Sequence, residues 1–254
     1  MPMTAHHSQP LRTVDRALLS VRVTSGAWVR KDACVEWSAE NRERLEVALT
    51  EADIVGVQRM SDDSIALRVQ VLALPEEGPI DIDARRQVVL HGVTQARFLL
   101  RCQTVEGYGP EIPLASIEAV DQFLDTLGTG DSLYGWHYFD DPELTDDWPS
   151  EPSLVVQMDD SEPQHSFYWF NECARMEEGE IHNYVLEGDA DFADLTVLRA
   201  DGTPQPVSEF ADQGVRWWQA FTDHEDRVGS DAQGAWNSSH LTWRRWPGLP
   251  SIPS

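Results

Sequence analysis

Lysine is all but missing from this chain: Lys31 is the only one among 254 residues, and every other basic side chain is arginine or histidine. Cysteine is scarce as well. Cys34, Cys102 and Cys173 are an odd number, widely spaced and without a CxxC pair. That excludes a disulfide framework and a thiolate zinc site. No uninterrupted apolar run approaches the length of a membrane span, and Met1–Pro10 has no apolar stretch of the kind a secretory leader carries. The expectation is a cytoplasmic protein with free thiols. Catalytic signatures are missing too: there is no P-loop, no GxGxxG and no GxSxG. The eight histidines show no HExxH or HxH spacing apart from His6-His7. No metal and no cofactor are expected.

Negative charge is what the chain has in excess. It carries 44 Asp+Glu against 19 Lys+Arg, a formal net charge of −25. Such a field repels phosphate backbones, which argues against nonspecific nucleic-acid binding. It favours a basic protein partner or a cation, although solubility alone is the plainer reading of the same number.

Hydrophobic patterning predicts an α+β fold, mainly antiparallel sheet with about three helices. Ala17–Val29 reads as one or two strands. A helix follows from Ser38, as N-cap, to about Ala52, with Leu45, Ala48, Leu49 and Ala52 on one stripe. Ile54–Arg59 and Ser64–Leu74 form a predicted hairpin. In its second strand Ile65, Leu67, Val69 and Val71 face inward while Ser64, Arg68 and Gln70 face solvent. Gln87–His91 and Ala96–Arg101 are further strands, parted near Gly92. A second helix has Ser116 as its cap and Ile117, Val120, Phe123, Leu124 and Leu127 as its stripe, and Gly128 stops it.

Ser132–Phe139, Ser153–Met158, His165–Arg175, Glu180–Leu186 and Leu195–Arg199 complete the predicted strands. The last helix, about Ser208–Thr222, carries Gly214 on its apolar side, which points to close approach of another backbone. Val89–Leu100 and Val185–Val197 echo each other. The echo suggests two similar β-meander-plus-helix halves, an alternative to one compact unit. On that plan residues 1–139 form one half, 140–152 an acidic linker loop, 153–228 the other half, and 229–254 a Trp-rich tail.

His165–Arg175 holds the candidates for chemistry. As a strand, one face carries Phe167, Trp169, Asn171 and Cys173 and the other Tyr168, Phe170 and Glu172. Apolar bulk on both faces predicts a covered central strand with Glu172 buried. Glu172, with His165, His182 and Trp169, is therefore either a ligand-pocket set or a core carboxylate paired to Arg175, Arg199 or Arg216. Cys173 reads as a small hydrophobe before a nucleophile, and His137 as a core histidine. Asp140, Asp141, Glu143, Asp146 and Asp147, and separately Asp189, Asp191 and Asp194, are acidic loops before cation sites. Arg216, Trp217, Trp243, Arg244, Arg245 and Trp246 are the candidate partner-interface residues, because tryptophan and arginine anchor interfaces.

Four segments carry a resemblance: the meander Ala52–Leu74, then Val88–Arg101, the strand His165–Arg175, and Asp201-Gly202 through Arg216-Trp217-Trp218. Together they resemble actinobacterial proteins of unknown function and β-rich immunity-type domains that accompany polymorphic toxins. The net charge of −25, the antiparallel pattern and the missing catalytic motifs give the leading expectation, a non-enzymatic acidic binding protein, immunity-like or regulatory, that neutralises a basic partner. The competing expectation is an enzyme or small-ligand receptor with an aromatic pocket around Glu172.

Overall fold

A computed structural model describes residues 37–61, 63–80, 83, 85–127, 132–177 and 180–229. Expectations for Ala17–Val29, Cys34, His6-His7, Gly128 and the tail beyond Gly229, including Trp243, Arg244, Arg245 and Trp246, fall outside them.

Helix α1 (Ala39–Leu49) begins where Ser38 Oγ accepts from the backbone N–H of Asn41 at 3.2 Å, and it buries Leu45, Ala48 and Leu49. The hairpin β1 (Asp53–Ser61) and β2 (Ser64–Gln70) follows, then β3 (Arg85–His91), β4 (Gln95–Thr104) and β5 (Gly107–Glu111). Helix α2 (Ile117–Thr126) is capped by Ser116, and strand β6 covers Ser132–Phe139. After a 3-10 turn at Pro142–Thr145 come β7 (Leu154–Gln157), β8 (His165–Glu177), β9 (Glu180–Phe192), β10 (Asp194–Arg199) and β11 (Pro204–Gln205). Helix α3 (Val207–Thr222) ends the run, ahead of a 3-10 turn at Asp226–Val228. All strand pairs are antiparallel, in two sheets ordered β1-β2-β3-β10-β11 and β5-β4-β9-β8-β6, with β7 also on β4. The fold is α+β with mostly antiparallel sheet, as the patterning predicted. No helix among the described residues is long and apolar enough to cross a membrane.

The two sheets share one folded ribbon. β3 pairs with β10 from Arg86↔Arg199 to His91↔Asp194, and β4 pairs with β9 from Gln95↔Asp191 to Gln103↔Asn183. Between them the ribbon turns a corner at Gly92 and Ala193. Ala193 N donates to His91 O and Thr94 N to Asp191 O, both at 2.9 Å, so the ladder stays bonded on either side of the bend. Gly92 sits at φ +60°, and a Cβ there would lie 2.9 Å from Ala193 Cβ. Both backbone angle and space therefore require glycine. The echoing segments lie side by side in this ribbon. Their glycines differ: Gly188 is in mid-strand, where a Cβ would overlap the Trp169 ring. Strands from both sides of 140–152 pair with one another, β3 with β10, β4 with β9 and β6 with β8.

One core cluster draws on both sheets and all three helices, including Leu67, Val88, Phe98, Trp169, Leu45, Val120 and Phe210. The expected solvent face of β2 is a correction: Ser64 and Gln70 are buried. α2 packs across β1, where Asp121 accepts from Val57 N at 2.9 Å and from Arg68, so the second face of the sheet is also covered. α1 and α3 meet where Gly214 faces Ala48, and a Cβ on Gly214 would overlap Ala48 Cα. The close approach read from the sequence is present.

His137 is 3% exposed, and its ring stacks at 5.9 Å on Phe167. Burial pushes its imidazole down to about 3, with the Leu49 carbonyl opposing. Below about pH 6.5 the unfolded chain takes up this proton and the native chain does not, so stability falls as pH drops toward 3. Relative to His137→Phe, wild type should lose about 1 kcal/mol per pH unit between pH 6.5 and 4 in denaturant titrations. Parallel pH profiles for the two proteins would contradict this. Gly214→Ala should cost about 1–3 kcal/mol by overpacking the α1–α3 contact, read as a lowered melting temperature.

Candidate functional site

β8 lies between β9 and β6, and its side chains alternate as predicted. Phe167 and Trp169 point inward and are fully buried. On the outer face Tyr168 and Phe170 sit across from Tyr138 and Trp136 of β6, with Glu172 two residues farther along β8. This outer face is divided. Over β9 and β4 it is roofed by the 140–152 segment; over β6 and β8 it stays open as a groove of about 460 Å³ lined by Trp136, Tyr138, Leu144, Tyr168, Phe170 and Glu172. Trp136 is 55% exposed.

The roof is pinned at several points. Asp140, at φ +55°, accepts from Ser166 N at 2.9 Å, from Arg42 at 2.9 Å and from His165 Nδ1 at 3.1 Å. Aspartate tolerates that left-handed backbone better than most residues. Arg97 donates to Thr145 Oγ1 at 3.2 Å, and its guanidinium lies 5.4 Å from the Trp148 ring centroid. Beneath the roof two carboxylates are buried on β9, Glu187 at 5% and Asp189 at 6% exposure. Glu187 accepts from the Trp148 indole N–H at 3.2 Å, from the Tyr168 hydroxyl at 2.9 Å and from Arg101 at 2.5 Å. Asp189 accepts from Arg97 Nη2 at 2.6 Å and Nε at 3.0 Å. Burial raises the Asp189 carboxyl above its usual range despite Arg97, and burial together with Asp189 raises Asp191. Burial, and then the Glu187 charge, drives the Tyr168 phenol upward.

The four pocket candidates do not converge. Trp169 and His165 share the inner side of β8, and His182 pairs with Arg175 near the far end of the strand. Glu172 is on the outer face. It is also partly rather than fully buried, which corrects the doubly covered reading. Leu144 of the roof lines one side of the groove that also holds Tyr168, Phe170 and Glu172. His165 stacks on Trp37 at 4.2 Å. Arg175 lies on Glu177, Arg199 on Glu209, and Arg216 donates to the Leu74 carbonyl. Cys173 is buried, its thiol donating to the Tyr184 carbonyl at 3.5 Å. Trp217 is buried in a second small cluster with Leu72, Leu74, Ile80, Ala220 and Val228, because the 72–80 segment packs over α3. It is core, not a displayed interface residue.

Asp189 and Asp191 are a further correction, since they stand within β9 and not in a loop. No group of histidine, cysteine, aspartate or glutamate side chains suited to holding a metal occurs among the described residues. The Arg97, Arg101, Glu187, Asp189 and Trp148 network was not foreseen. Its signal was present as an i,i+4 pair of arginines on β4 and an i,i+2 pair of carboxylates on β9, which meet only once the strands are in register. No protein-family model, curated protein or solved structure matches this chain.

Removing the charge of Glu187 strips Arg101 of its carboxylate and weakens both the Trp148 and Tyr168 bonds. Glu187→Gln should cost about 2–4 kcal/mol in denaturant unfolding and speed proteolytic cleavage within 140–152. Unchanged stability and cleavage would show that the roof is held by other contacts.

Proposed function

We propose that this chain is a non-enzymatic binding protein, immunity-like or regulatory, that engages a basic protein partner at the groove on β6 and β8. One observation carries the reading: an open aromatic groove with a carboxylate on its rim, on a protein of net charge −25. Exposed indole and phenol surface is poorly solvated and is the kind of area that protein interfaces bury. The charge supplies long-range attraction for a basic surface, which speeds encounter and makes it salt-sensitive. The six lining residues offer stacking area and one carboxylate but no pairing of nucleophile with base, and the Tyr168 hydroxyl is already given to Glu187. The alternative, a small-ligand receptor around Glu172, is supported by the groove's volume, which falls in the range of small-molecule sites.

Retention from native lysate on the full chain, at low and high salt, tests the first reading. The retained protein should be basic, released by high salt, and lost with Trp136→Ser. No retained protein at either salt, or one indifferent to Trp136→Ser, removes the reading. In that event a metabolite thermal-shift screen compared with Glu172→Gln becomes the test of the alternative.

A further inference from the structure

Residues 247–253 read Pro-Gly-Leu-Pro-Ser-Ile-Pro, so Pro247, Pro250 and Pro253 recur at every third position. Three residues make one turn of a polyproline II helix, and each proline fixes the backbone angle that this helix needs. The spacing therefore puts all three rings on one ridge, about 9 Å apart at about 3.1 Å per residue. A ridge of this kind is stiff before it binds, and aromatic-lined grooves are what it docks on.

The outer face of β6 and β8 is such a surface. Trp136 stands directly across from Phe170 in the strand register, and Tyr138 across from Tyr168 with ring centroids 6.5 Å apart. Diagonal neighbours such as Trp136 and Tyr168 fall about 7–8 Å apart, close to the proline repeat. Trp136 is 55% exposed. Its indole N–H is a donor for the carbonyls that a polyproline helix leaves unpaired.

Reach and charge favour a segment of this same chain as the occupant. The described chain ends at Gly229, just past α3. α3 lies on α1 where Gly214 meets Ala48, and α1 closes the edge of β6 where Glu51 bonds to Gly135. Two element widths of about 10 Å each thus separate α3 from β6. Pro247 follows Gly229 by 18 residues, a reach of about 60 Å when extended. Arg244 and Arg245 come just before the ridge, while the roof beside the groove exposes Asp141, Glu143, Asp146 and Asp147. A tether of this length gives an effective concentration in the millimolar range, which populates a contact that is weak between separate molecules.

We propose that this chain's own residues 247–253 dock as a polyproline II ridge on Trp136, Tyr138 and Phe170, with Arg244 and Arg245 against the carboxylates of the roof. The contact itself needs no partner. A partner that uses the same rings must first displace the ridge, a consequence that alone rests on the binding-protein reading.

The test compares the full chain, by NMR, with a variant carrying Pro247→Ala, Pro250→Ala and Pro253→Ala. The Trp136 indole resonance, assigned through Trp136→Phe, should differ between the two chains and should not move on dilution. A synthetic peptide of residues 243–253 should bind the proline-substituted chain about tenfold more tightly than wild type, whose own ridge competes for the groove. Adding Trp136→Leu to the proline-substituted chain should weaken that binding, and thermal melts show that each variant is folded. An unchanged Trp136 resonance, equal peptide affinity for the two chains, or peptide binding indifferent to Trp136→Leu would each overturn the docking. A resonance that moves on dilution would make a second copy the occupant and overturn it as well. No partner is present in these measurements, so their failure leaves the retention of a basic protein through Trp136 untouched, and loss of that retention leaves the docking untouched.

Discussion

The folded ribbon of β3–β4 against β9–β10 is the constraint on which the rest of the molecule depends. A pair of antiparallel strands this long would run straight, with the usual right-handed twist, unless something bent it. Gly92 supplies the bend by adopting a left-handed backbone and by leaving room for the Ala193 methyl. The hydrogen bonds on both sides of the corner keep the two strands in one register as they pass from sheet to sheet. Each sheet then grows outward from this ribbon, one through β2 and β1, the other through β8 and β6. The main core cluster draws on both sheets because the ribbon belongs to both.

Register at the ribbon also decides where the charges go. On β9 the residues Leu186 and Ala190 face the core while Glu187, Asp189 and Asp191 take the outer face. A slip of one residue would exchange these sets and put carboxylates among Phe98, Phe167 and Trp169. In the correct register Glu187 and Asp189 meet Arg101 and Arg97 from β4. The net stability such buried pairs contribute is small, because desolvation offsets their attraction. They act instead against misalignment, since a shifted strand would bury a charge without its partner. Arg97 and Glu187 also reach upward to Thr145 and Trp148, so the pairs that fix the register hold the roof in place.

The groove is what the roof leaves uncovered. Along β8 the outer side chains pass from Tyr168, shielded and bonded to Glu187, to Phe170 and Glu172 at the open end. The outer edge of β6 is closed by α1, where Glu51 N donates to the Gly135 carbonyl and Glu46 accepts from Phe139 N. Strand addition at these bonded positions is therefore blocked, and the aromatic face beside them stays open. Tyr168 links the two regions, as wall of the groove and as donor to the network beneath the roof.

The sequence by itself determined the elements whose signals are local. Ser38 and Ser116 cap helices because a hydroxyl can satisfy a free N–H three residues on, and the stripes of α1 and α2 follow from the helical period. The strand alternation of β8, the turn near Gly92, the close approach at Gly214 and the core position of His137 were legible for the same reason. Tertiary structure alone decided matters of pairing. Asp189 and Asp191 read as loop residues, yet they continue β9, where Arg97 pairs with Asp189. Glu172 read as core, yet it stands in the wall of an open groove. Trp217 read as an interface residue, yet the 72–80 segment covers it. A residue's spacing along the chain fixes which face it takes; what covers that face comes from segments many residues away, and only the folded register brings them together.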